Sequence, residues 1–399
     1  MNNVPCQKHK RNAIVLVVDG LHVGFIGAYG NSSVMTPALD RFACDAFLCD
    51  RYYTNTLDLS LLYREFWYGI LPEEPEEETP PLFPNLPRRL EEKGYRTILL
   101  TDDPEIAYNL YANGFSEVHN MDQAPPPQPV ASLEETQFFR MFATIVDLVE
   151  EKDSPYFLWC HFKSFAGPWD FPLEYRNEYA EEGDPDVYGG VAVPKLVHQT
   201  EDPDVRQSVT EAYSGGVTVL DEAFAGFLES LTGGDLGKNT LTIFTASRGF
   251  SLGEHRLIGL PDLGDLWGEN LHIPCMVRLP EQLDGQRMVR SDALAQPSDV
   301  FTALSEWFGL SSEKSLLGLL VDETASLHNE IHITGDSTIS AVMQSDWFFR
   351  LRTEMDEFQE KRQRIELYAK PGDRYEVNEV ADRCEEIVEE FMQRVVVNP

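Results

Sequence analysis

With 399 residues the chain is long enough for one large α/β core, or for a core carrying a smaller attached unit. Its 67 acidic against 32 basic residues give a formal charge of −35, which repels nucleic acid and anionic lipid at long range and confines any anion binding to a local basic pocket. Hydrophobic residues make up 42%, but no run approaches the ~20 apolar residues of a membrane helix, and the polar, basic start reads as that of a cytoplasmic protein.

The first element in chain order is the apolar run Ala13 to Val18, which predicts a buried strand. Helical spacing follows over Thr36 to Phe47 and Leu86 to Lys93, a strand over Arg96 to Thr101, a helix over Glu134 to Glu151 and a strand over Tyr156 to Phe162. A long helix over Val209 to Leu231 then leads into strands at Thr240 to Thr245 and Cys275 to Arg278. Strands alternating with helices predict an α/β fold, a mostly parallel sheet with helices on both faces. After the helix Ser298 to Phe308 the pattern changes to strands at Glu330 to Thr334, Trp347 to Arg352 and Ile365 to Tyr368, and then a helix from about Val380 to Val395. These segments predict a main α/β domain over residues 1–312 and a smaller C-terminal α+β subdomain over 313–399. The acidic run from Glu73 to Glu78 reads as solvated loop. The six cysteines form no CxxC pair and read as reduced thiols.

Chemistry is expected where Val15-Leu16-Val17-Val18 ends in Asp19-Gly20, because a carboxylate at the carboxyl end of a buried strand sits where α/β proteins gather ligands. Gly27-Ala28-Tyr29-Gly30 follows, then Met35-Thr36-Pro37-Ala38-Leu39-Asp40-Arg41-Phe42-Ala43 and Phe47-Leu48-Cys49-Asp50-Arg51-Tyr52-Tyr53-Thr54. Further on stand Gly94-Tyr95-Arg96-Thr97, Tyr213 with Val219-Leu220-Asp221, Asn239 to Thr245, Gly253-Glu254-His255, Glu269 to Pro274 and Ile365-Glu366-Leu367-Tyr368. In this order, over roughly residues 12 to 385, these landmarks resemble the sulfatases of the alkaline phosphatase superfamily. The resemblance implies a divalent cation held by three Asp and an Asn or Gln. It also implies a formylglycine nucleophile made from Cys or Ser in a C/S-x-P-x-R motif, with Lys and His residues that bind the sulfate and protonate the leaving group.

At the positions the resemblance singles out, this chain departs from the pattern. Asp19 is the one residual metal ligand; Gly20, Ser247 and Arg248 occupy the other ligand positions, and a guanidinium beside a dication adds repulsion. No cofactor is therefore expected, the alternative being a calcium or magnesium ion if the site still functions. Ser60 and Arg64 are the candidate catalytic residues, in a segment whose register leaves either Leu59 or Ser60 at the nucleophile position. The Lys-x-His of the resemblance becomes Asp102-Asp103-Pro104, and its later His becomes Ala166. His161, Lys163, Arg248 and His255 are the candidate substrate-binding residues, while no HxH or HExxH spacing links the histidines into a metal cluster. A buried Asp19 needs a cationic partner, and Arg248, together with Arg64, is the natural one. The reading is a sulfatase-like protein without normal metal-dependent activity, binding a small anionic or sugar-like ligand against aromatic walls from Trp67, Tyr68, Phe165, Trp169 and Trp267, or a protein partner. The alternative is an active sulfate or phosphate ester hydrolase with a rearranged site using Ser60, Arg64 and Arg248.

Overall fold

The computed structural model describes residues 11–75, 81–150, 155–197, 202–234, 236–280, 289–310, 315–320, 325–355 and 361–395. The strands, in chain order, are β1 (Asn12–Val18), β2 (Phe47–Tyr52), β3 (Arg96–Thr101), β4 (Glu117–Asn120), β5 (Tyr156–Phe162), β6 (Leu196–Val197), β7 (Thr240–Ala246), β8 (Ser251–Leu252), β9 (Leu257–Gly259), β10 (Cys275–Arg278) and β11 (Val289–Ala295). Four more follow, β12 (Glu330–Thr334), β13 (Ile339–Gln344), β14 (Trp347–Met355) and β15 (Lys361–Ala369). Eight strands form the central sheet in the order β11-β2-β10-β7-β1-β5-β3-β4, in which only β10 runs against its neighbours. Strands β12 to β15 form a separate antiparallel sheet, and β6, β9 and β8 a small third one.

Strand β1 lies between β5 and β7, with both ladders parallel. All its residues from Ala13 to Val18 are buried, as the unbroken apolar run requires of a strand covered on both faces. Period-two alternation sends neighbouring β5 residues to opposite faces. Trp159 and His161 meet the helix Leu59–Tyr68 through Phe66 and Tyr63, whereas Phe162 meets Phe142 of the helix Gln137–Glu150. The sheet is thus covered on both sides.

The predicted strands at 96–101, 156–162 and 275–278 match the observed bounds, and the helices at 86–93 and 134–151 are observed at Leu86–Glu91 and Gln137–Glu150. The C-terminal helix read from about 380 to 395 is observed at Glu385–Met392, and two segments of the main domain also differ. The helix read over 36–47 ends at Cys44, because Phe47 to Tyr52 is strand β2, whose Phe47 and Leu48 pair with β10. The long helix begins at Pro203, six residues early, where Asp202 caps the Asp204 N–H and proline occupies the first turn. The boundary at 312/313 lies outside the described residues. Five cysteines are described, all free thiols, and Cys6 is outside. No helix among the described residues is long and apolar enough to cross a membrane.

The position of β1 makes it the most sensitive point of the sheet. Leu16→Ala, at a fully buried site facing neighbours on both ladders, is expected to cost about 2–5 kcal/mol in urea unfolding.

Candidate functional site

Register brings the candidate residues together. Val18 pairs with Ala246 on one side and Phe162 on the other, and Thr101 pairs with His161. The residues that follow these strands (Asp19, Ser247 with Arg248, Lys163, and Asp102 with Asp103) therefore emerge side by side at the carboxyl edge, beside His161.

Asp19 is fully buried. Its Oδ1 accepts from the Ser247 hydroxyl at 2.6 Å and from Arg248 Nε at 2.9 Å, and its Oδ2 accepts from Arg248 Nη2 at 3.1 Å. The remaining guanidinium nitrogen, Nη1, donates to the Leu57 carbonyl at 3.4 Å, just before the helix Leu59–Tyr68. Burial alone would raise the Asp19 pKa, but the charge of Arg248 and the hydrogen bonds from Arg248 and Ser247 outweigh it and hold the carboxyl below its ordinary value. Every nitrogen of Arg248 has a protein acceptor, so this residue, read as a substrate contact, acts as the internal counter-ion of Asp19.

His161 lies on the other side of Asp19, fully buried. Its Nδ1 is 2.6 Å from the Tyr63 hydroxyl, and its Nε2 is 4.0 Å from Asp103 Oδ2, with no hydrogen-bond partner among the described residues. Burial lowers the imidazole pKa, and Asp19 and Asp103 only partly offset this, which keeps the ring neutral. Lys163 places its ammonium 3.4 Å from Asp103 Oδ1 and donates its backbone N–H to Asp102 Oδ1 at 2.7 Å. Burial pushes the Asp102 carboxyl up to about 7, despite that hydrogen bond.

Three expectations are corrected. Arg64 is buried and points away from Asp19: its Nη2 donates to the carbonyls of Leu71, Pro72 and Glu74, fastening the chain that follows the helix. Ser60 is an exposed first-turn residue whose backbone N–H is capped by Asp58, and among the described residues its hydroxyl has no hydrogen-bond partner to serve as a base. His255 belongs to another cluster, with Nδ1 2.9 Å from Glu269 and its ring stacked on Trp267 at 3.7 Å. His255, Glu269 and Glu376 lie close enough to share an ion, but the Lys370 ammonium already contacts Glu376. The aromatic walls are corrected too, since Trp67, Phe165 and Trp169 are fully buried in the core.

Tyr63 and the Asp102-Asp103 pair were missed as site residues. The pair carried a usable signal, the same apolar strand followed by an acid that marks Asp19. Tyr63 carried none, because its role depends on which face of its helix meets β5.

A mostly parallel sheet whose carboxyl edge gathers acids, a histidine, a lysine and an arginine defines an α/β protein with a polar site at its strand ends. The chain matches the sulfatase family over residues 11–310 and belongs to it. It is 20% identical over 306 residues to iduronate 2-sulfatase of Homo sapiens. That match covers 61% of this chain and 56% of the other, so the chain spans little more than half the length of that curated relative. Among solved structures it is similar to phosphonate monoester hydrolase of Agrobacterium radiobacter, with a TM-score of 0.76, 16% identity and coverage of 96% and 94% of the two chains. It is also similar to BT4656, solved in complex with its substrate D-glucosamine-2-N,6-O-disulfate, with a TM-score of 0.72, 16% identity and 96% coverage of each chain. At these identities the likeness is one of fold.

The residues at Asp19 do not fit the dication that the family resemblance implies. A hard cation wants several oxygen ligands, whereas Asp19 is met here by a neutral hydroxyl and a guanidinium. Nor does position 20 admit a second aspartate: Gly20 has φ +76°, and a Cβ there would lie 3.0 Å from that of Phe165.

Two stability predictions follow from the electrostatics. Breaking the Asp19–Arg248 pair by Arg248→Ala is expected to destabilise by about 3–5 kcal/mol, since a buried carboxylate is left uncompensated. The pH dependence reverses with it. In the wild type the Asp19 pKa is lowered, so its contribution is present above the unfolded-state value and is lost as pH falls through the folded-state value. In Arg248→Ala burial raises that pKa, and destabilisation grows as pH rises, which urea unfolding across a pH series reads directly. Asp102 is already in the second regime: stability is lost as pH rises from its unfolded value towards about 7, so Asp102→Asn is expected to raise the melting temperature more above neutrality than in mild acid.

Proposed function

We propose that this chain is a sulfatase-family protein that has exchanged its metal centre for the Asp19–Arg248 ion pair. It does not perform normal metal-dependent sulfuric ester hydrolysis and works as a binding protein for a small ligand. The observation that carries this reading is the paired geometry at Asp19, where both carboxylate oxygens are engaged by one guanidinium at 2.9 and 3.1 Å. Fold alone does not decide activity, and the site argues against the family reaction. Among the described residues the Ser60 hydroxyl makes no hydrogen bond to a base, and the positions that the resemblance assigns to sulfate binding carry Asp102 and Asp103.

The ligand is of a different charge class from a sulfate ester. Around the cleft stand Asp19, Asp102 and Asp103 against Arg248 and Lys163, with a neutral His161, so an anionic ester meets no surplus of positive charge. An uncharged sugar-like molecule or a cation suits this balance better than the anionic ligand that the resemblance suggests. The protein is proposed to act in the cytoplasm.

The test is thermal melting with and without calcium or magnesium, together with turnover of a generic aryl sulfate and an aryl phosphate. The expected result is no saturable rise in melting temperature and no turnover. A saturable rise that Asp19→Asn abolishes would mean that the ion binds at Asp19 and displaces Arg248, through linkage of binding to folding.

A further inference from the structure

Beside the Asp19 cleft, on the far side of Lys163 and Asp102, is a cavity of about 320 Å³ between the start of the helix Gln137–Glu150, the segment 122–130 and the end of β5. This volume is that of a small-molecule site. Its apolar surface comes from Phe138, Phe171, Pro125 and Val130. Its polar lining is acidic, with Asp102, Asp122, Glu135 and Asp170 against Lys163 and Arg140.

Most of these charges already have tasks. Glu135 accepts from the Ala131 N–H, and Asp170 accepts from the Gln137 N–H at the start of the helix. Arg140 donates to Gln123, and the Lys163 ammonium faces Asp103. Asp102 differs. Its one side-chain hydrogen bond to another described residue is the backbone N–H of Lys163, and no ammonium or guanidinium among the described residues is within ion-pair distance of it. A carboxyl with no ammonium or guanidinium in contact among the described residues, set in an apolar-walled cavity whose lining carries four acids against two bases, favours a donor-rich cation.

We propose that this cavity binds a small protonated amine with an apolar body, the ammonium held by Asp102 and the body laid against Phe138, Phe171 and Pro125. The cation supplies a direct counter-charge to a carboxyl that the Lys163 ammonium acts on only at longer range, and burial pushes that carboxyl up to about 7 in its absence, so amine binding draws the group into its charged form. The proposal goes beyond the ligand reading given above, because it assigns a cavity and a ligand class that do not depend on what Asp19 holds.

The test is a calorimetric titration of the full chain with three probes of the same shape, namely benzylamine, benzyl alcohol and benzoate, repeated on Asp102→Asn. Asparagine keeps the acceptor for the Lys163 N–H and removes the charge. Saturable benzylamine binding about tenfold or more tighter than benzyl alcohol is expected, with that preference lost in Asp102→Asn. The proposal is overturned if benzylamine shows no saturable binding or no advantage over the alcohol. It is equally overturned if benzoate binds best, or if Asp102→Asn keeps the full preference, which would place amine binding elsewhere on the acidic surface. The comparison of probes on the wild-type chain needs no variant to fold. Calcium titration reports on Asp19 and amine titration on this cavity, so either reading can fail while the other stands.

Discussion

A carboxylate with no solvent exposure has to be neutralised, and the pair of Asp19 with Arg248 is how this protein does it. Asp19 is fixed at the end of the central strand by the parallel ladders of β1 with β5 and β7. Arg248 closes on it from the end of β7 and reaches across to the Leu57 carbonyl. One guanidinium thus ties three segments, the ends of β1 and β7 and the chain at Leu57. Ion pairs of this sort stabilise weakly relative to an apolar core but are costly to break, which makes the pair a constraint on the edge rather than a surplus of stability.

The rest of the edge adjusts to that constraint. His161, between Asp19 and Asp103 yet buried against Tyr63, stays neutral because desolvation outweighs the two nearby carboxylates. Lys163 is drawn to Asp103, which leaves Asp102 short of a cation and facing the neighbouring cavity. Where the resemblance implies an assembly that grips a sulfate group, the described residues form an electrically balanced cleft beside an acidic, apolar-walled cavity.

Much of the fold was legible because the strongest signals lie where burial is complete. The runs at 13–18, 96–101 and 156–162 are dominated by apolar residues, as strands covered on both faces must be, and they lie side by side in the observed sheet as β1, β3 and β5. Strand β2 was not legible: Phe47 to Tyr52 contains Asp50 and Arg51, tolerated because Arg290 from the neighbouring strand β11 pairs with Asp50. Strand β13 was missed where Ile339 to Gln344 joins β12 and β14 into a continuous antiparallel sheet. In the site, Asp19 and Arg248 were legible as a pair, since a buried acid at a strand end calls for a cation and Arg248 follows the adjacent apolar run. Arg64 was misplaced, because an arginine's six or so ångströms of reach allow many acceptors and sequence spacing does not say that backbone carbonyls would take it.

The amino-acid sequence by itself determined the alternation of strands and helices at the core of the chain, the family landmarks and the residue types at the strand ends, since these depend on residue type and local periodicity. Tertiary structure alone decided that Tyr63 meets His161, that Arg64 turns to the carbonyls of residues 71, 72 and 74, that His255 joins Glu269 and Trp267, and that Asp102 faces a cavity. The physical reason is that hydrogen-bond partners and desolvation depend on which surfaces the packed sheet brings within a few ångströms, and residues far apart in sequence meet there only once the chain has folded.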